Sequence, residues 1–180
     1  MLYIPRLRWT AWLLCSVVLV GCVDSDARYP AVNPFDLERY MGKWYEIARL
    51  DNGFEQGLSN VSVEYSVDDA ERIRFKARGL VHAAGQWRLQ SGTLEFAEDE
   101  DRAQFKLSLN KNMKTPYTVL ALDDDYSCAL VTAGQGDYLW LMSRSTTIAP
   151  STSRRMLDKA RSLGFPVNKL MFIDQNRPNH

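Results

Sequence analysis

The stretch MGKWYEIARL, Met41 to Leu50, decides how the rest of the chain is read. It alternates as a strand does, but a glycine and a tryptophan open it, and Glu46 falls on the parity of Trp44 and Ala48. A large indole at the mouth of a strand and a carboxylate on its inward face both call for an enclosed space. Period-two alternation continues outward from there. VSVEYSV sets Val61, Val63, Tyr65 and Val67 on one face, and IRFKARG sets Ile73, Phe75 and Ala77 opposite Arg74, Lys76 and Arg78. QWRLQSGTLEF begins on odd residues, Trp87 and Leu89, and ends on even ones, Leu94 and Phe96, which predicts a bulge at Gly92. FKLSL, YTVLAL, CALVTA and DYLWLMSR complete eight short strands, with VDDAER, HAAG, AEDEDRA, LDDDYS and AGQGD as turns.

Eight evenly spaced strands on short connections predict an antiparallel meander barrel or a sandwich. The pattern then changes once. SRRMLDKARSLG carries Met156, Leu157, Ala160 and Leu163 at helical spacing and stops at Gly164, and the short strand KLMFID follows. A lone helix must bury its stripe on the outside of the sheet. YLWLM, apolar on both faces, marks the place: Tyr138, Trp140 and Met142 face the lumen, and Leu139 and Leu141 lie under the helix.

The 180 residues, 46% hydrophobic and 24% charged, describe one folded domain, and a formal charge of zero gives no reason to expect nucleic acid as a partner. The first residues stand apart. Arg6 and Arg8 precede the uncharged run Ala11 to Val20, too short to span a bilayer and proportioned as a secretory signal. The run ends Leu19-Val20-Gly21-Cys22, which resembles the bacterial lipobox. That resemblance implies cleavage of residues 1–21, acylation of Cys22 and a tether over 22–33, ahead of a domain at 34–177 and a tail at 178–180. Val23 after the cysteine fits sorting to the outer membrane, facing the periplasm, against which Asp24 argues. Cleavage leaves 20 basic and 22 acidic residues, a formal charge of −2. Cys128 would remain as a lone thiol, on the outward face by parity, so no intrachain disulfide is expected and no residue cluster suggests a metal.

Three motifs in order resemble the lipocalin family. Gly42-Lys43-Trp44 matches its G-x-W. Leu122-Asp123-Asp124-Asp125-Tyr126 is a loose form of T-D-x-x-x-Y, without the threonine and one residue shorter. Arg144 stands at the end of the last barrel strand. The wording is most similar to the bacterial outer-membrane lipocalins, relatives of apolipoprotein D. The resemblance implies an eight-stranded up-and-down barrel with a C-terminal helix outside it, a ninth strand, Arg144 across the face of Trp44, and a hollow calyx for lipid. Arg144 is also the candidate cation for Glu46, whose alternative partners are backbone groups or ordered water.

By parity the inward set is Ala48, Val63, Tyr65, Ile73, Phe75, Ala77, Leu94, Phe105, Leu107, Tyr117, Val119, Tyr138 and Trp140. It is apolar and aromatic, as a packed core would be, but Ala48 and Ala77 leave room that larger residues would fill. An elongated apolar pocket suits a fatty acid or lysophospholipid, and the resemblance implies the same ligands, held by a membrane-anchored carrier that maintains the envelope under stress. An enzyme is disfavoured: the two histidines, His82 and His180, lie in a turn and at the terminus, and no G-x-S-x-G, H-E-x-x-H or Walker loop occurs. No cofactor is expected. A structural envelope lipoprotein that docks a protein partner, through Glu98 to Asp101 for example, is the alternative.

Overall fold

The structure is a computed structural model and describes residues 28–110 and 113–176. The expected signal, Cys22, the first part of the tether and the C-terminal tail lie outside the described residues.

A one-turn helix α1 (Leu37–Tyr40) precedes strands β1 (Gly42–Leu50), β2 (Leu58–Val67), β3 (Ile73–Val81), β4 (Gln86–Phe96), β5 (Gln104–Asn110), β6 (Met113–Leu122), β7 (Cys128–Ala133) and β8 (Tyr138–Ser143). Helix α2 (Pro150–Ser162) and strand β9 (Leu170–Phe172) follow. Each strand pairs antiparallel with the next, β8 returns to β1, and β1 also pairs with β2, so the eight-stranded sheet closes on itself. Closure removes the sheet edges that an open meander would expose.

The helix begins at Pro150, three residues before the predicted start, because proline suits the first helical position, where its missing N–H costs nothing. It buries Met156 and Ala160 against Leu130, Leu139, Leu141 and Cys128. Strand β7 is therefore buried along its whole length, lumen on one side and helix on the other. YLWLM divides as expected: Leu139 and Leu141 join the helix cluster, while Tyr138, Trp140 and Met142 join the lumen.

Two parity expectations fail. The β3–β4 register runs unbroken from Ile73↔Leu94 to Val81↔Gln86, so there is no bulge at Gly92. Gly92 is there for space: a Cβ would stand 2.2 Å from the Ser108 carbonyl oxygen and 2.7 Å from the Phe75 ring. Trp87 and Leu89 consequently stay on the outer face. The bulge that matters falls between Glu46 and Ala48, against β8. It puts Ile47 and Ala48 consecutively on the helix side, so Ala48 is buried beneath α2 and leaves the predicted lumen set.

Candidate ligand-binding cavity

The interior has two storeys. At the end where β1 starts, Trp44, Tyr40, Phe35, Ile73, Leu94, Phe105 and Val119 pack as a solid floor. Ile73, Leu94, Phe105 and Val119, expected to line a cavity, lie instead in this filled half, where Phe35 packs edge-on against Phe105 at 5.7 Å and plugs the base. Above them opens a cavity of about 360 Å³. Val63, Tyr65, Phe75, Ala77, Leu107, Tyr117, Tyr138 and Trp140 line it, with Val61, Gln90, Leu109, Met113, Thr115, Val131, Ala133 and Met142. Phe54 and Glu55, from the β1–β2 loop, complete the wall. A volume of this order, apolar with a few convergent polar groups, is that of a small-molecule site.

The first polar group is a phenol cluster at the floor. The hydroxyls of Tyr65 and Tyr117 lie 2.7 Å apart, and that of Tyr40 lies 3.2 Å from Tyr117. Burial pushes Tyr65 up to about 12 and holds the other two well above the ordinary phenol value, so all three are neutral hydrogen-bonding groups. The second lies in the wall. Glu46 is buried, as expected, but its partner is Arg49, whose Nη1 donates to Glu46 Oε1 at 2.6 Å. Arg144 is committed elsewhere. The same bulge that displaces Ala48 brings Arg49 within reach of Glu46, three residues back. Glu55 Oε2 accepts from Trp140 Nε1 at 3.0 Å and from Asn52 Nδ2 at 2.6 Å. Burial first, and then the neighbouring Glu55, raise the Glu46 carboxyl to about 8, against the pull of Arg49.

The closed end is built around Arg144. Its guanidinium lies 3.8 Å from the centre of the Trp44 ring. Nη1 donates to the Lys43 carbonyl at 2.9 Å, Nη2 to Arg39 at 2.6 Å and Tyr40 at 3.1 Å, and Nε to Tyr126 at 3.2 Å. One side chain thus ties three segments of chain across the base, with the cation–π contact added to the carbonyl bonds. Gly42, at φ +90, takes a backbone conformation that a side chain would strain, and its Cα faces Arg144 Nη1.

Residues 35–175 match the family model described as a lipocalin-like domain. The chain is a lipocalin. It is 35% identical over 164 residues to "Outer membrane lipoprotein Blc" of Vibrio cholerae, covering 91% of this chain and 96% of the relative. It is 40% identical to the protein of that name in Citrobacter freundii, covering 80% and 81%. Among solved structures, insecticyanin from the tobacco hornworm superposes with a TM-score of 0.66 at 19% identity, covering 81% of this chain and 84% of that one, a likeness of fold alone.

In this lipocalin the shortened second motif still makes a turn. Asp123 Oδ1 accepts from the backbone N–H of Ser127 at 2.6 Å and of Cys128 at 2.9 Å, and Oδ2 accepts from the Ser127 hydroxyl. Tyr126, at φ 55, accepts from the Asp36 N–H at 2.9 Å and lies under the Arg39 guanidinium. The motif residues Gly42, Trp44, Asp123, Tyr126 and Arg144 therefore all gather at the base, away from the cavity. Cys128 lies under α2, and burial, with Asp123 adding, pushes its thiol up to about 12, so it is not a nucleophile at neutral pH.

Proposed function

We propose that this lipocalin is a non-catalytic lipid carrier, anchored to the outer membrane through Cys22 and facing the periplasm, that holds a fatty acid or lysophospholipid in its calyx. The observation that carries the reading is an apolar cavity open at one end above a sealed floor. A hydrocarbon tail enters from the mouth and lies against Val63, Phe75, Ala77, Leu107, Tyr138 and Trp140, with the phenols of Tyr65 and Tyr117 beneath it. Each buried methylene contributes about 0.8 kcal/mol, so a sixteen-carbon tail grosses roughly 12 kcal/mol. Ordering costs of at least ~4 kcal/mol leave about 8, which corresponds to micromolar affinity. The relatives of 35–40% identity bear the name of an outer-membrane lipoprotein, which supports the anchor and the location.

The test uses the domain from residue 28 onward, purified and delipidated, and titrated with a long-chain fatty acid and its lysophospholipid while tryptophan emission is followed. Trp140 lines the cavity and reports on occupancy. Saturable one-to-one binding near micromolar is expected, and Ala77→Trp, which fills the cavity, abolishes it without unfolding the barrel. Failure of both ligands to bind a folded domain would overturn the carrier reading.

A further inference from the structure

Five of the eight large hydrophobic side chains exposed among the described residues surround the mouth of the barrel: Phe54, Trp87, Leu89, Leu109 and Met113. Leu109, Met113 and Phe54 form its lip. Trp87 and Leu89 lie on the outer face of β4, since Gln90 faces the cavity, and Leu89 is 77% exposed. The helix that covers the opposite wall packs on β7 and leaves this one bare. The rim is also charged. From Arg72 to Leu94 the β3–β4 hairpin has no acid and five bases. Arg72 and Arg74 pair with Asp68 at the closed end, Lys76 stands mid-strand opposite Glu64, and Arg78 and Arg88 lie nearer the mouth. The Arg78 guanidinium sits 4.0 Å over the Trp87 ring, and Arg88 Nη1 donates to the Phe54 carbonyl at 2.5 Å, joining the start of β4 to the β1–β2 loop. The exposed acids of this end, Asp51 and Asp137, belong to the loops beside β1 and β8.

The chain also enters the domain at this end. Arg28 Nη1 donates to the Gln135 carbonyl in the β7–β8 turn at 2.5 Å, and Tyr29 stacks on Phe165 at 4.9 Å. Gly136 lacks a side chain where Tyr29 needs the room. Six residue steps separate Arg28 from Cys22, a reach of at most about 22 Å. A lipid on Cys22 therefore holds the mouth, not the base, at the membrane.

We propose that the open end is a membrane-docking surface, in which Trp87 and Leu89 with the lip residues enter an anionic bilayer while Arg78 and Arg88 meet its phosphates. Tryptophan and apolar side chains settle at the headgroup level, and bases are drawn to anionic lipid. Docked this way, a lipid passes between bilayer and calyx without crossing water. The proposal rests on the anchoring reading of Cys22.

The test places an environment-sensitive dye on a new cysteine at the rim, Ala84→Cys, or at the opposite end, Ala70→Cys, in the full chain as recovered from cells, with the parent chain showing that Cys128 does not react. The chain is reconstituted with vesicles of phosphatidylethanolamine and phosphatidylglycerol containing nitroxide lipid. The Ala84 dye is expected to shift to the blue and to be quenched by the nitroxide, with the Ala70 dye still aqueous, and Trp87→Ser with Leu89→Ser removes most of the quenching. An aqueous Ala84 dye on a membrane-bound chain overturns the docking surface, as does a blue shift without vesicles, which would mean a second copy or a protein covers the rim. The mass of the recovered chain reports separately whether Cys22 is acylated. If it is not, Ala84→Cys and Ala70→Cys are remade with Cys15→Ser and Cys22→Ser, so that the dye sits only on the new cysteine, and mixing with excess vesicles still decides the docking.

Discussion

Glu46 shares one guanidinium, that of Arg49, with a wall that also carries Glu55. Its carboxyl is raised from 4.5 to about 8, so the folded chain holds this proton more tightly than the unfolded chain does. The sign follows from linkage: where the folded state binds more protons, stability falls as pH rises. The contribution is fully present below about 4.5, declines between about 4.5 and about 8, and is level above that. Urea unfolding at the two ends of this window is expected to show the parent losing stability toward the alkaline end. Glu46→Gln, which keeps one acceptor for Arg49 and cannot ionise, flattens the slope. Equal slopes in both proteins would show that another group sets the pH dependence.

At the scale of elements, β4 and α2 separate what holds the barrel from what fills it. Gly92 lets β4 pass within contact of Ser108 on β5 and of the Phe75 ring. Gly92→Ala forces those neighbours apart and is expected to cost at least about 2 kcal/mol by denaturant unfolding. Met156 lies on the far side of the wall from the lumen. Met156→Ala is expected to destabilise by about 2–4 kcal/mol and leave lipid affinity unchanged, as parallel unfolding and titration would show. The alternation that makes strands legible in the sequence sets both the reach and the limit of such reading. It places Phe75, Ala77, Leu107 and Trp140 correctly because β3, β5 and β8 are regular where those residues sit. It misplaces Ala48 because a bulge inserts one residue without altering the spacing of apolar letters. Strand β7 is covered on both sides, so Val131 and Ala133 carry no contrast that would single them out. Phe54 and Glu55 come from a loop, where no period exists, and Arg49 reaches Glu46 only after the bulge has turned it. The hollow and the plug are likewise invisible to parity, which gives the face of a residue and not its height in the barrel.

At the scale of the whole molecule, binding and folding occupy different halves. The floor from Trp44 to Phe105 and the Arg144 ties at the base hold the barrel shut from below, so the upper half can stay hollow. That division is why Ala77→Trp is expected to remove binding and spare the fold. The upper half has its own fastening. Strand β1 pairs with β2 only from Gly42 to Tyr45, and from Ala48 to Leu50 it pairs with β9 instead. Beyond β9, the Asn60 N–H donates to the Asp174 carbonyl, and Gln175 Nε2 donates to the carbonyls of both Glu46 and Val61 at 2.8 Å. The gap between the first two strands is thus bridged by residues made more than a hundred positions later. A ribosome or a translocation pore that still holds residues 174 and 175 also holds the seam open, so the wall between β1 and β2 closes only after that segment has been let go.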